Sequence, residues 1–322
     1  MISFRRALAA CFAMVVVALS GHDARSESAR TIKLVVPVPA GASTDFVARL
    51  MAEQISRAQG VTMVIENRPG ASGMIGTEAV SRAAPDGTTL LMTANTYLID
   101  AQVRKASYHP VTSFEPICFL VESPAILVVN SASPYRTLDD LLNAARARPG
   151  ELTMASVGPG TSFQIGFATF TRMAHVNMTY VPYAGSAPAV NAVLGEHVTS
   201  VFVGYAVVAE HLKAGKLRAL ATATRKRIVP LPDLPTFDES GFKDLEVDNW
   251  FGVVAPANTP KETLSQLAGW FTAVLALPEV KARLADQGLY PVGTCGADFG
   301  ALIRKRYDEY GQAIRESNIK GE

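Results

Sequence analysis

The chain has 322 residues, 48% of them hydrophobic, a length that suits two domains of roughly 100 to 200 residues each. Its 30 basic and 29 acidic residues leave a formal net charge of +1. No global field therefore draws it to a nucleic acid or an anionic membrane surface, and a polyanion-binding role is disfavoured.

Arg5 and Arg6 precede an uncharged run from Ala7 to Leu19, and Ala18-Leu19-Ser20 offers small residues for cleavage. This reads as a secretory signal peptide over residues 1–28, since a spanning helix needs about 20 apolar residues. The mature chain is expected to work outside the cytoplasm. It retains Cys118 and Cys295, read as two buried free thiols ahead of the bridge that an oxidising compartment would allow.

Short β-rich apolar runs then alternate with amphipathic stretches, the grammar of an α/β protein. Ile32 to Pro37 reads as a strand, a Gly-containing turn follows, and Asp45 to Ala58 reads as a helix. Met63 to Glu66 gives a second strand, the Asn67-Arg68-Pro69-Gly70 turn a break, Met74 to Ala83 a helix and Thr88 to Thr93 a third strand. The pattern restarts past Pro124. Ala125 to Asn130 and Leu152 to Ser156 read as strands, Thr137 to Arg148 and Phe163 to Met173 as helices, and Val198 to Val203 and Leu217 to Thr222 as further strands. Pro230, Pro232 and Pro235 make Arg225 to Phe237 a surface or linker stretch. Trp250 to Val254 returns as a strand before helices near Lys261 to Leu277, Pro278 to Gln287 and Ala297 to Ile314.

Two such units with the chain end returning to the first imply a two-lobed α/β protein with a cleft between the lobes. Its expected parts are residues 29–124 and 250–322 in one domain and 125–249 in the other. Open α/β sheets bind ligands where loops leave the carboxyl ends of strands, so three loops stand out. Val38-Pro39-Ala40-Gly41-Ala42-Ser43-Thr44-Asp45 leads from the first strand into the first helix. Small residues there let the backbone approach a ligand, the opening helical turn presents unpaired N–H groups to an anion, and Asp45 is better suited to bracing the turn. Ser156-Val157-Gly158-Pro159-Gly160-Thr161-Ser162 occupies the equivalent position in the second unit. Tyr183-Ala184-Gly185-Ser186 is a third such turn. Each could also be an ordinary helix start, with Tyr183 in the core.

Enzymatic motifs are absent from the sequence. Gly70-Ala71-Ser72-Gly73 lacks the spacing of a nucleophile elbow, His109, His175, His197 and His211 lack zinc-ligand spacing, and no phosphate-loop lysine follows a Gly-rich turn. No cofactor is expected.

The stretches Pro37 to Asp45 (PVPAGASTD), Val64 to Val80 (VIENRPGASGMIGTEAV), Ala155 to Ser162 (ASVGPGTS), Val181 to Val190 (VPYAGSAPAV), Leu231 to Gly241 (LPDLPTFDESG) and Trp250 to Pro260 (WFGVVAPANTP) resemble, in order, the substrate-binding receptors of tripartite tricarboxylate transporters, the Bug family. The resemblance implies a type II periplasmic binding protein fold, a periplasmic location, a carboxylated solute as ligand and membrane permease subunits as partners. It places the ligand between the loops at Val38 to Asp45 and Ser156 to Ser162, flanked by Asn95, Thr96, Tyr183 to Ser186 and Gly204. A basic residue common in the family is replaced by Ala184, which points toward a monocarboxylate with an apolar body. A ligand sensor signalling to a membrane regulator is the alternative role.

Overall fold

The computed structural model describes residues 31–158, 161–183 and 185–316, and the expected leader at 1–28 lies outside them. Three parallel strands open the fold: β1 (Thr31–Val36), β2 (Thr62–Asn67) and β3 (Thr89–Ala94). Between and after them come α1 (Ser43–Gln59), α2 (Met74–Ser81) and α3 (Thr96–Val103). The long strand β4 (Phe114–Asn130) crosses into the second lobe, which holds α4 (Leu138–Ala147), β5 (Thr153–Val157), α5 (Ser162–Met173), β6 (Thr179–Tyr183), α6 (Ser186–Leu194), β7 (Ser200–Gly204), α7 (Tyr205–Lys213) and β8 (Leu217–Thr222). The chain returns through β9 (Asp248–Pro256) and ends in α8 (Lys261–Ala276), α9 (Pro278–Ala285), β10 (Tyr290–Cys295) and α10 (Gly296–Glu316). No helix among the described residues is long and apolar enough to cross a membrane.

Alternation of side chains along the strands gives each lobe two apolar layers, one on either face of its sheet. In β1, Ile32, Leu34 and Val36 join one core with α1, α8 and α9, while Val35 joins another with α3 and α10. In the second lobe Leu127 and Val129 of β4 face a core with α4 and α5, and Ile126 and Val128 face one with α6 and α7. Local signals close the helices. Gly60, at φ 67°, takes the left-handed conformation after α1 and donates its N–H to Ser56, and Thr137 with Asp140 forms a capping box at α4.

The strand order is β2-β1-β3-β9-β4-β7-β5-β6, with β8 and β10 also paired to β4. Strand β4 pairs with β9 from Phe114 to Pro124, then with β7 and β8 from Ala125 onward. The two sheets therefore share one backbone at Pro124 and Ala125, and β9 begins beside it at Asp248.

The segment between β8 and β9 has no regular structure, as its prolines require, but it is not a surface linker. Ile228, Leu234 and Phe237 are buried and Phe237 packs on Phe170 and Phe202. Strand β10 was not expected from sequence. It is an antiparallel partner of β4 with a bulge between Pro291 and Thr294, the irregularity that a proline and Gly293 permit. It brings Cys295 opposite Cys118, and the two are joined in a disulfide across a sequence separation of 177.

A cross-link closing so long a loop restricts the unfolded chain. Replacing both cysteines by alanine should lower stability by about 2 to 4 kcal/mol in urea unfolding. An unchanged midpoint, together with alkylation of both thiols in denatured, unreduced protein, would show that the bond does not form.

Candidate functional site

Strand directions locate the site. Strand β3 is antiparallel to β9 and β9 to β4, so β3 and its parallel neighbours β1 and β2 run toward the second lobe. Strand β7 is antiparallel to β4, so β7 and its parallel neighbours β5 and β6 run toward the first. The carboxyl ends of both sets consequently point at one another across the hinge. The end of β3, Ala94, lies level with Phe251 and hence Val121, whereas the end of β7, Gly204, lies level with Ala125. Four residues of β4 separate the levels, about 13 Å at the usual strand rise, which leaves room for a small solute.

The rim of the first lobe is built by the loop after β1. Ala40, Gly41 and Ser43 are exposed, and Ala42 is the N-cap of α1 with no side-chain cap, so the first helical turn keeps its N–H groups for another acceptor. Asn95 is the N-cap of α3, also without a side-chain cap bond, and Thr96 beside it is exposed. Asp45 faces inward and is 2% exposed. One of its oxygens accepts from the Gly41 N–H and Arg49 Nε, each at 2.9 Å, and the other from Asn67 Nδ2 at 2.9 Å. Asn67 Nδ2 also donates to the Val38 carbonyl at 3.1 Å, and Arg49 donates to Asn67 Oδ1 at 3.0 Å. Asp45 thus braces the loop, and Arg49 is tied into the same brace.

The rim of the second lobe comes from three neighbouring strand ends. Val157 of β5 is level with Tyr183 of β6, and Ser156 is level with Phe202 of β7. Helices α5, α6 and α7 start directly beyond, with Gly185 and Gly204 as N-caps of α6 and α7 and no side-chain cap on either. Several expected contacts are occupied internally. The Ser156 hydroxyl is buried and donates to the Phe202 carbonyl at 3.2 Å, and the Gly158 N–H donates to the Tyr183 carbonyl at 2.9 Å. Thr161 caps α5 by accepting from Gln164 N at 3.4 Å, with its hydroxyl against the Val157 and Gly158 carbonyls at 3.2 and 3.0 Å. These three residues shape the loop because a buried polar group must be satisfied from within. Ser162 is buried, Tyr183, Gly185 and Ser186 are half-buried, and Gly160 and Ala184 lie outside the described residues. Gly204 is buried, and a Cβ there would sit 3.2 Å from the Ser123 hydroxyl oxygen, so glycine makes room for a hinge serine.

The sequence reading missed the loop after β2. Ser72 and Gly73 join Val38, Thr44 and Thr96 around a cavity of about 20 Å³ that Thr77, Thr93 and Tyr108 also line. Gly70, Ala71, Ser72 and Gly73 all have positive φ, at 123°, 46°, 56° and 94°. Such strain in the two non-glycine residues costs of order 1 kcal/mol each and clusters at ligand clamps. The Gly-Ala-Ser-Gly run was the available signal; it entered the family resemblance and was tested as a nucleophile elbow, but was not placed among the ligand loops.

No lysine or arginine occurs in the second-lobe loops at 156–162, 183–186 or 204. No group of His, Cys, Asp or Glu among the described residues could hold a metal ion. What the rims present is helix amino ends, each carrying about half a positive charge, together with hydroxyls.

Burial works to raise the Asp45 carboxyl, yet hydrogen bonds from Arg49, the Gly41 N–H and Asn67 outweigh it and hold the group below the ordinary carboxylate range. A carboxyl so lowered stabilises the fold above its unfolded pKa, and that contribution is lost as pH falls through the native value. Asp45→Asn should cost about 1 to 3 kcal/mol near neutral pH, with the gap to the parent protein closing below about pH 4. A gap that does not vary with pH would remove the charge from the explanation.

Residues 47–319 match the family model described as the tripartite tricarboxylate transporter family receptor. BugT of Bordetella pertussis is 30% identical over 295 residues, covering 91% of this chain and 90% of BugT. A TctC solute binding protein from Polaromonas superposes with a TM-score of 0.83 at 26% identity, over 90% of this chain and 100% of that one. An R. palustris protein solved with adipate is 31% identical, with a TM-score of 0.74 over 91% of this chain and 99% of its own. The chain belongs to the tripartite tricarboxylate transporter receptor family, and is a periplasmic solute-binding receptor with a two-lobed α/β fold, not an enzyme.

Proposed function

We propose that the lobes close on a small carboxylated solute held chiefly by main-chain N–H groups and hydroxyls, and that the loaded receptor delivers it to membrane permease subunits of a tripartite transporter. The observation that carries this reading is the opposition of strand ends whose helices α1, α3, α6 and α7 begin without side-chain caps. A helix amino end is worth up to about 2 kcal/mol to a partly buried anion, and a hydrogen bond to a charged acceptor about 1.5 to 3 kcal/mol. Contacts from both rims therefore offset the cost of desolvating a carboxylate.

The contacts are assigned to residues of the two rims. In the first lobe these are Ala40 to Thr44 with Asn95 and Thr96, and Ser72 joins them through the shared cavity. In the second they are Ser162, Tyr183, Gly185 and Ser186, with Gly204 as floor. The change of strand partner at Pro124 and Ala125 supports lobes made of 29–124 with 250–322 and of 125–249. Removal of residues 1–28 on export completes the reading. The adipate bound by the R. palustris relative makes an aliphatic carboxylate the first probe.

Titration calorimetry with a panel of organic acids and their amides tests the class of ligand. Acids should bind and the corresponding amides should not, and hits confined to uncharged compounds would refute it. Ser43→Asp provides a site-specific arm. A carboxylate in the first turn of α1 suits the helix dipole and should leave the melting temperature unchanged or higher. By competing for the same N–H groups it should weaken the acid that binds best by about tenfold or more, a loss of about 1.4 kcal/mol or more.

A further inference from the structure

Helix α10 touches both lobes, away from the loops of the candidate site. In the first lobe it packs beside α3, where Gln102 Nε2 donates to the Tyr307 carbonyl at 2.7 Å, and its Tyr307 ring lies 5.1 Å from the His109 ring. The same helix is bonded to the second lobe at two points. Arg306 Nη2 donates to Glu246 Oε2 at 2.6 Å, with side chains only 7% and 13% exposed. Arg172 of α5 pairs with Glu316 at 2.9 Å. Ten residues separate Arg306 from Glu316, about 15 Å along the helix.

Glu246 rides with the second lobe. Its neighbour Val247 donates its N–H to the Ala223 carbonyl at 3.0 Å, and the Val247 side chain fills the core beneath α5. The fit is close enough that a Cβ on Gly166 of α5 would come within 2.3 Å of Val247. Beside these ion pairs, Ile165 of α5 is buried in a core that also holds Ile303 and Tyr310 of α10. Helix α5 starts at Ser162, directly behind the second-lobe rim, so α10 bears on the element that carries that rim.

We propose that α10 is a strap and that Arg306 and Glu316 are positioning residues which fix the angle between the lobes, and thereby the fraction of free receptor whose rims are set to receive a solute. The inner pair, shielded from water and salt, holds register at the hinge. The outer pair, 51% and 34% exposed, trims the angle at the far end of the lever. A strap of this kind alters affinity without touching the ligand, because apparent affinity scales with the populated fraction of the competent state. The idea rests on the receptor reading for its effect on binding, but not for its effect on shape.

Small-angle scattering of the ligand-free protein tests it with charge reversal at the outer pair. Arg172→Glu sets two carboxylates against each other and should shift the radius of gyration away from the parent value. Adding Glu316→Arg restores an ion pair of opposite polarity and should return it. If adipate binds the parent protein, the single variant should change its affinity by about threefold to tenfold and the double variant should recover it. Glu246→Gln, which weakens the inner pair, should shift the radius of gyration too. A lower melting temperature in all variants with radius and affinity unchanged would overturn the proposal, as would a shift that the double variant fails to reverse. Should adipate bind no form of the protein, the scattering alone decides the strap.

Discussion

One extended strand orients everything else. Because β4 runs unbroken from Phe114 to Asn130 and is antiparallel to β9 in one lobe and to β7 in the other, the parallel strands of the two lobes must run toward each other. Ligand-binding ends of α/β sheets lie at strand carboxyl ends. A single shared backbone therefore sets two such edges facing each other, and at Pro124 and Ala125 it passes from one sheet to the other.

That geometry bears on how an acid can be held without a dedicated cation. Arg49 of α1 is tied to Asp45 and Asn67, and the second-lobe loops at 156–162, 183–186 and 204 contain no basic residue. In the proposed binding mode, helix amino ends do not swing as a lysine does, so their N–H groups are ordered before a ligand arrives and little entropy would be lost on binding. The internal hydrogen bonds of Asp45, Ser156 and Thr161 would serve the same purpose, since each fixes a loop at the carboxyl end of a strand. Selectivity among acids would then follow from the shape of the space between the rims more than from charge.

Much of this was legible in the residues. Strand, small-residue turn and helix recur at Thr31 to Gln59 and at Thr153 to Met173, and the repeat alone implied two facing loops. The inward turn of Asp45 followed from its position one turn into a helix that favours anions outside it. Other features were hidden because tertiary contacts decided them. The first half of β4, which carries Glu115 and Pro116, was given no element from the sequence, and it is a strand because β9 and β10 flank it. Strand β10 contains Pro291 and Gly293, and only pairing at a sheet edge makes it a strand. Ser72 was not placed at the rim because the run of positive φ angles that turns its loop there is not revealed by any pattern of hydrophobicity.

Whether main-chain donors from both lobes grip the solute is most directly measured by the crystal structure of the protein with its best-binding acid. The carboxylate should lie within hydrogen-bonding distance of amides at the start of α1 and of at least one of α5, α6 and α7, with no lysine or arginine side chain as its principal partner. A solute anchored by a basic side chain, or bound to the loops of one lobe alone, would contradict this.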